Sequence, residues 1–272
     1  MTDEFYKRNW TTIPRGCFVS KAKDFAETGL TLRYKGEEKK FMTERYNFIE
    51  GDLIKKPDII YKNSVDLEKF KGKKILVLGA GPTTNWYDWD ASEYDFIFSC
   101  NHFFLNKKIQ EHKVDFTFLG SEVDIEREDF IDYVSKNNTI IGLEDYQQDM
   151  SGEKIKRLKS KGTNDFFVFV TRFQGKIGIG PKLLVLAILL GAKEVHFAGV
   201  DGWNKNYKKG EPDQHSFEKN KKITTSYSYD MIFSHYTCLK KYIQTEIGTN
   251  TIVKNLGEGH EQNIWSKIKD FK

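Results

Sequence analysis

The chain has 272 residues, of which 39% are hydrophobic, 14% aromatic and 30% charged, with a net charge of +4. That balance fits a folded globular protein and excludes a disordered one, and so mild a charge does not by itself predict a nucleic-acid partner. The longest apolar run, "LLVLAILLGA" from Leu183, falls short of the roughly 20 residues of a membrane-spanning helix, and Cys17, Cys100 and Cys238 are too scattered for a disulfide framework or a metal knuckle. No membrane span is therefore expected. The opening "MTDEFYKRNW" lacks the apolar core of a secretory signal, so the expected location is cytoplasmic.

Residues 1–72 read as a small N-terminal β-rich extension: "LTLRYKGEEKKFMTERYNFIEGDLIKKPDIIY" has short alternating runs and a Lys-Gly-Glu turn signal. Such an extension could pack on the sheet, cover the acceptor side of a site, or mediate association into a homo-oligomer. Residues 73–272 read as a second unit in which apolar strands alternate with amphipathic stretches. The predicted strands are "KILVLGA" from Lys74, "YDFIFSCN" from Tyr94, "VDFTFLG" from Val114, "TIIGLED" from Thr139 and "DFFVFV" from Asp165. "GPKLLVLAILLGA" from Gly180 predicts a buried helix, with Pro181 in its first turn and Gly191 at its end. "EVHFAGVD" returns as a strand, "SHYTCLKKYIQTEI" as a helix, "NTIVKNLGEG" as a last strand and turn, and "NIWSKIKDFK" as a basic amphipathic terminal helix. The alternation predicts an α/β fold, a mostly parallel sheet with helices on both faces. The polar segment 203–230, rich in lysine, is expected to be a mobile lid.

Ligands of such sheets bind beyond the carboxyl ends of the strands. There the sequence puts Gly81-Pro82-Thr83, Asn101-His102, Gly120-Ser121 and Asp201-Gly202-Trp203. The turn Gly79-Ala80-Gly81 lacks the third glycine of a dinucleotide fingerprint, and the second strand ends in Cys100-Asn101 rather than in a ribose-binding carboxylate. It also lacks the Gly-Lys-Ser/Thr of a Walker loop. What remains is a glycine turn whose backbone N–H groups, with Thr83 and Thr84, could meet a phosphate, or a plain strand-to-helix turn.

Three separated segments resemble one family, the bacterial lipooligosaccharide sialyltransferases of glycosyltransferase family 42. Gly79-Ala80-Gly81-Pro82-Thr83 resembles its G-N-G-P-S turn, Cys100-Asn101-His102-Phe103-Phe104 its Cys-Asn-Gln-Phe-Tyr run, and "GIGPKLLVLAILLGAKEVHFAGVD" its Ser-Gly turn, helix and following strand. The resemblance runs from about Lys73 to the C-terminus, and the same scaffold is shared by MptE-like proteins. It implies a Rossmann-like fold of the GT-A variant kind and a nucleotide-sugar donor, CMP- or UDP-linked; the residues themselves lead to no other cofactor and no metal being expected. It further implies that Asn101 and the Gly79–Thr83 turn bind the donor, with Gly178, Ile179 and Gly180 near its base or ribose. Asp201 and Trp203 match an acidic and an aromatic position, Tyr207 a tyrosine at the leaving phosphate, and His235 the general base. The chain departs from the family at Ala80, Ile179 and Lys176, where the family has asparagine, serine and arginine at donor-facing positions.

Inverting sugar transfer needs a base for the acceptor hydroxyl and stabilisation of the departing phosphate. His235 is the first choice as base and His215 its competitor. Tyr207 with Lys205, Lys208 or Lys209 could neutralise the phosphate. Asp88 and Asp90 in "YDWDAS" form a D-x-D pair, but capping is the commoner reason for aspartate at a helix start. His260, Asn255 and the Gly257-Glu258-Gly259 turn follow the last strand, within reach of a nucleotide. The expected activity is thus a metal-independent glycosyltransferase acting on a glycan or on a hydroxylated base of DNA. The alternatives are a pterin-type diphosphokinase using ATP and Mg²⁺, and a non-catalytic nucleotide-binding protein.

Overall fold

The computed structural model describes residues 18–19, 58–62, 66–120, 122–144, 165–170, 173–174, 177–203, 205–206, 208–211, 214–218, 220–222, 228–248 and 250–271. Ten strands are described: β1 (Phe18–Val19), β2 (Asp58–Lys62), β3 (Lys74–Leu78), β4 (Phe96–Cys100), β5 (Phe116–Leu119), β6 (Ile140–Glu144), β7 (Phe166–Val170), β8 (Phe173–Gln174), β9 (Glu194–Ala198) and β10 (Ile252–Asn255). The described α-helices are α1 (Thr83–Trp86), α2 (Lys107–Gln110), α3 (Glu128–Asn137), α4 (Ile179–Leu189), α5 (Tyr229–Tyr242) and α6 (Ile264–Lys267).

Eight strands form one sheet in the order β10-β9-β3-β4-β5-β6-β7-β2. All its pairings are parallel except β2 with β7, which is antiparallel. The predicted α/β fold and mostly parallel sheet are therefore present. Most of the N-terminal extension lies outside the described residues; of its described part, β2 adds the antiparallel edge and β1 pairs antiparallel with β8.

β3 owes its central place to its composition. Ile75, Leu76, Val77 and Leu78 are all fully buried, as a strand covered on both faces must be. Successive residues of β9 show the two covers, because neighbours on a strand point to opposite faces. The Tyr94 hydroxyl, from the segment after α1, meets His196 Nδ1 at 2.9 Å on one face. On the other, Phe197 packs edge-on against Trp265 of α6, with ring centroids 5.2 Å apart.

The chain runs β3, β4, β5, β6, β7 toward one edge, then returns through α4 to β9 on the far side of β3. That reversal makes the β3/β9 junction the topological switch point, where the strand ends diverge and leave a crevice. α4 makes the return. It is apolar on all sides, with Leu183 through Leu189 buried, so it lies as an inner helix against β3, β4, β5 and β9. Its end at Leu189, followed by Gly191 with φ +85°, agrees with the stop read from the sequence.

Candidate functional site

A cleft of about 730 Å³, counted to its open mouth, sits at the carboxyl ends of β3, β4 and β9. One wall is the turn after β3, with Ala80, Gly81 and Pro82, beside Cys100 and Asn101 from the end of β4. A second is the start of α4, Ile177 through Pro181, and a third is Gly199 with Asp201, Gly202 and Trp203 after β9. Gln214 and His215 from the segment between β9 and α5, Tyr236 from α5 and Gln262 from the C-terminal turn complete it.

Close backbone approach at the switch point explains the glycines. Gly79 N–H bonds Ala198 O at 2.8 Å and Gly81 N–H bonds Gly199 O at 2.9 Å, so the β3–β9 pairing runs on into the turn. Gly199 has φ +71°, and a Cβ there would collide with Thr84 Oγ1 and Gly79 O; one at Gly81 would collide with the Asp201 carboxylate. Only glycine fits.

Asp201 is 1% exposed and is the acceptor that knots three segments together. Thr83 N–H reaches its Oδ2 at 2.9 Å, while the Thr83 hydroxyl at 2.6 Å and the Asn263 amide at 2.8 Å reach its Oδ1. Thr83 Oγ1 in turn accepts from Gly199 N–H at 2.6 Å, and the Thr84 hydroxyl donates to Gly79 O at 2.6 Å. Burial raises the Asp201 pKa, while the bonds from Thr83 and Asn263 and the field of His260 pull against it. Of the two readings the sequence left open, these bonds favour the plain strand-to-helix turn: the N–H groups of Gly79, Gly81 and Thr83 and both threonine hydroxyls are engaged inside the protein.

Asn101 sits in the left-handed region at φ +51°. Its Oδ1 accepts from Gly120 N–H at 2.7 Å and its Nδ2 donates to Glu122 Oε1 at 2.7 Å, which fixes the amide at the cleft's edge. Cys100 beside it is buried, and its thiol is pushed up to about 12 by that burial, so it offers no thiolate.

The histidines divide. His235, on α5, is 0% exposed and is not on the cleft wall; its neighbour Tyr236 is. The Tyr236 phenol is held far above its ordinary pKa, first by burial and then by the Asp201 charge, and its oxygen takes a hydrogen bond from the Gly202 backbone. It thus keeps its proton to donate. His215 is on the wall, and its Nδ1 accepts from Glu218 N–H at 3.0 Å. Burial, then Lys221 across from it, lowers its pKa to about 4 against the pull of Glu218. A neutral ring accepting at Nδ1 carries its proton on Nε2, so His215 is a donor in this tautomer. His102 is 8% exposed behind the wall, with Nδ1 3.3 Å from Glu218 Oε2.

The residues singled out in the sequence converge in large part. Ala80, Gly81, Pro82, Asn101, Gly178, Ile179, Gly180, Asp201 and Trp203 line the one cleft. Gly79 and Thr83 lie behind the turn, and Gly120 is bonded to Asn101. Ser121, Lys176 and Tyr207 lie outside the described residues. Lys205, Lys208 and Lys209 are exposed. Asp90 caps a helical turn, accepting from Ser92 N–H at 2.9 Å, and Asp88 lies 3.6 Å from Lys108. Sequence reasoning missed Tyr236, Gln214 and Gln262. Tyr236 was one residue from the histidine chosen; a lone glutamine carries no signal of its own.

Part of the segment after Trp203 is tied to the sheet. Ser216 N–H donates to Ala80 O at 2.8 Å, and the Asn106 amide donates to Ser216 O at 2.8 Å, holding His215 over the glycine turn.

The fold is that of an α/β protein with a cleft at the switch point of a mostly parallel sheet. No protein-family model and no curated protein matches the chain. Among solved structures, the monofunctional alpha-2,3-sialyltransferase Cst-I from Campylobacter jejuni is similar with a TM-score of 0.49 and 14% identity, over 77% of this chain and 86% of that one. The sialyltransferase CstII of the same organism, in complex with cytidine-5'-monophosphate, gives 0.45 and 18% over 68% and 85%. CST-II with a trisaccharide acceptor and CMP gives 0.45 and 17% over 68% and 81%.

Proposed function

We propose that this protein is a glycosyltransferase that binds a nucleotide sugar in the switch-point cleft and moves the sugar to a hydroxyl acceptor. One observation carries the reading. The three segments that resemble the sialyltransferase family, far apart in the sequence, meet at a single cleft, where they form its walls around Gly81, Asn101 and Gly180. The chemistry of the walls agrees. An acceptor oxygen attacking the anomeric carbon breaks the bond to the phosphate, which leaves with the electron pair and needs donors. His215 Nε2–H and the Tyr236 hydroxyl, both on the wall, supply neutral ones.

The proton of the attacking hydroxyl needs a base. His235 is walled off in α5, and His215 is turned to donate. Asp201 is the carboxylate on the wall among the described residues, and burial moves its pKa upward toward the range a base requires. On this reading it both ties the turn and takes the proton. The acceptor is a hydroxyl of a glycan or of a modified DNA base.

The test is a thermal-shift panel of CMP, UDP, GDP, ATP and NAD, each with and without Mg²⁺, followed by sugar-nucleotide turnover with whichever nucleotide binds. Stabilisation by CMP or UDP without Mg²⁺ is expected. Stabilisation by NAD alone, or by ATP only with Mg²⁺, sinks the reading. The burial of His235 favours a second reading, a nucleotide-binding protein without transferase activity; tight CMP or UDP binding with no turnover of any sugar nucleotide would select it.

A further inference from the structure

Gln262 is 6% exposed and lies on the cleft wall near Asp201. Its backbone is fixed from both sides. Its own N–H donates to His260 Nδ1 at 3.2 Å, and the next residue, Asn263, is tied to Asp201 at 2.8 Å and to Asn255 at 2.9 Å. Within this rigid turn the Gln262 amide oxygen is buried and finds no hydrogen-bond donor among the described residues.

Buried polar atoms are nearly always paired, and an acceptor left without a donor weakens the fold that contains it. Because Gln262 lines the cleft, a molecule bound there can bring the donor that its oxygen lacks. The hydrogen-bonding groups around it are otherwise engaged: Asp201 with Thr83 and Asn263, and the Asn255 amide with Asn263. We propose that Gln262 determines which nucleotide the cleft accepts, its amide oxygen taking a hydrogen bond from an N–H or O–H donor of the bound nucleotide, either a base amino group or a ribose hydroxyl. This rests on the reading of the cleft as a nucleotide-sugar site. It assigns the acceptor half of recognition to the C-terminal turn, opposite in sense to the donors His215 and Tyr236.

The experiment measures CMP, UMP and 2'-deoxy-CMP binding by calorimetry to the wild-type chain, Gln262→Leu and Gln262→Glu, with the melting temperature of each free protein. Gln262→Leu is expected to melt no lower than wild type, since it removes an unmatched acceptor. It should weaken CMP about two- to tenfold, the range of one net hydrogen bond. The source of the donor follows from which analogue is indifferent to the substitution: UMP if it is the base amino group, 2'-deoxy-CMP if it is the 2'-hydroxyl, and neither, at an unchanged melting temperature, if it is the 3'-hydroxyl. Gln262→Glu, which keeps an acceptor, should bind CMP better than Gln262→Leu. Equal CMP affinity in wild type and Gln262→Leu overturns the proposal, as does a lower melting temperature with all three probes weakened alike, which would make Gln262 a structural residue. If neither CMP nor UMP binds the wild type, the nucleotide-sugar reading itself has failed and this assignment falls with it.

Discussion

One backbone bond sets the chemistry of His215. Because Glu218 N–H occupies Nδ1, the neutral ring carries its proton on Nε2, and burial first, then Lys221 and His102, oppose a positive ring while the Glu218 carboxylate favours one. Its folded-state pKa of about 4 lies below the ordinary 6.5. Unfolding therefore takes up a proton between those values, and the stability His215 contributes is whole above pH 6.5 and lost as the pH falls toward 4. His102 and His196, both also lowered by burial, add in the same sense, whereas Asp201, raised by burial, works the other way. The melting temperature is expected to fall between pH 7 and 5, and the fall to be shallower in His215→Gln. An equally steep fall in that variant would show that the ring is already free to protonate. His235 marks the limit of what the sequence reveals at this scale. Spacing from Asp201 selects the right helix, but successive residues on a helix point about 100° apart. The packing of α5 turns Tyr236 to the cleft and His235 into the core.

Elements were more legible than side chains, for a physical reason. A strand buried on both faces carries a largely apolar run, as β3, β4 and β5 do, and the apolar residues of β6, β7 and β9 give the same signal in the sequence. α3 carries no signal so plain, and β2, although it falls in the stretch read as β-rich, gave no hint of its partner. α3 buries only Phe130, Tyr133 and Val134, and β2 joins the sheet as an antiparallel edge, a pairing the sequence pattern does not disclose. α5 begins at Tyr229, earlier than the pattern suggested, because Ser228 caps it through Met231 N–H. The β3–β9 junction is where the elements depend most on a single residue. Gly199→Ala would place a methyl group against Thr84 Oγ1 and Gly79 O at a positive φ, with no flexible neighbour to yield. The expected loss is about 3 kcal/mol, the upper end of what such strain costs, read as a lower urea midpoint at unchanged m. A loss under about 0.5 kcal/mol, the scale of an ordinary surface substitution, would mean that the two strand ends do not meet as closely as described.

For the molecule as a whole, the consequence lies in how the cleft is assembled. Its walls come from residues 80–82, 100–101, 177–181, 199, 201–203, 214–215, 236 and 262. A ligand bound there therefore bridges the first strand unit, the return helix, the segment between β9 and α5, and the C-terminal turn at once. A ligand that binds only the folded state stabilises it by mass action, by about 2.7 kcal/mol at a hundredfold excess over Kd. At roughly 2–4 °C per kcal/mol for a chain of this size, the correct nucleotide should raise the melting temperature by about 5–10 °C. Hydrogen exchange should locate the effect. Slowing is expected where amide hydrogen bonds close the switch point, at Gly79, Gly81 and Ser216, which donate to backbone carbonyls, and at Gly199, which donates to Thr83 Oγ1, because opening any of these bonds would break the walls the ligand joins. β2, paired only to β7 at the far edge of the sheet, should exchange at the same rate with and without nucleotide unless it opens only by global unfolding. The outcome that would count against a switch-point site is a melting shift of the expected size with slowing confined to the β7–β2 edge. In that case the ligand would be held elsewhere, and the convergence of the glycine turn, Asn101 and Asp201 would be a matter of folding alone.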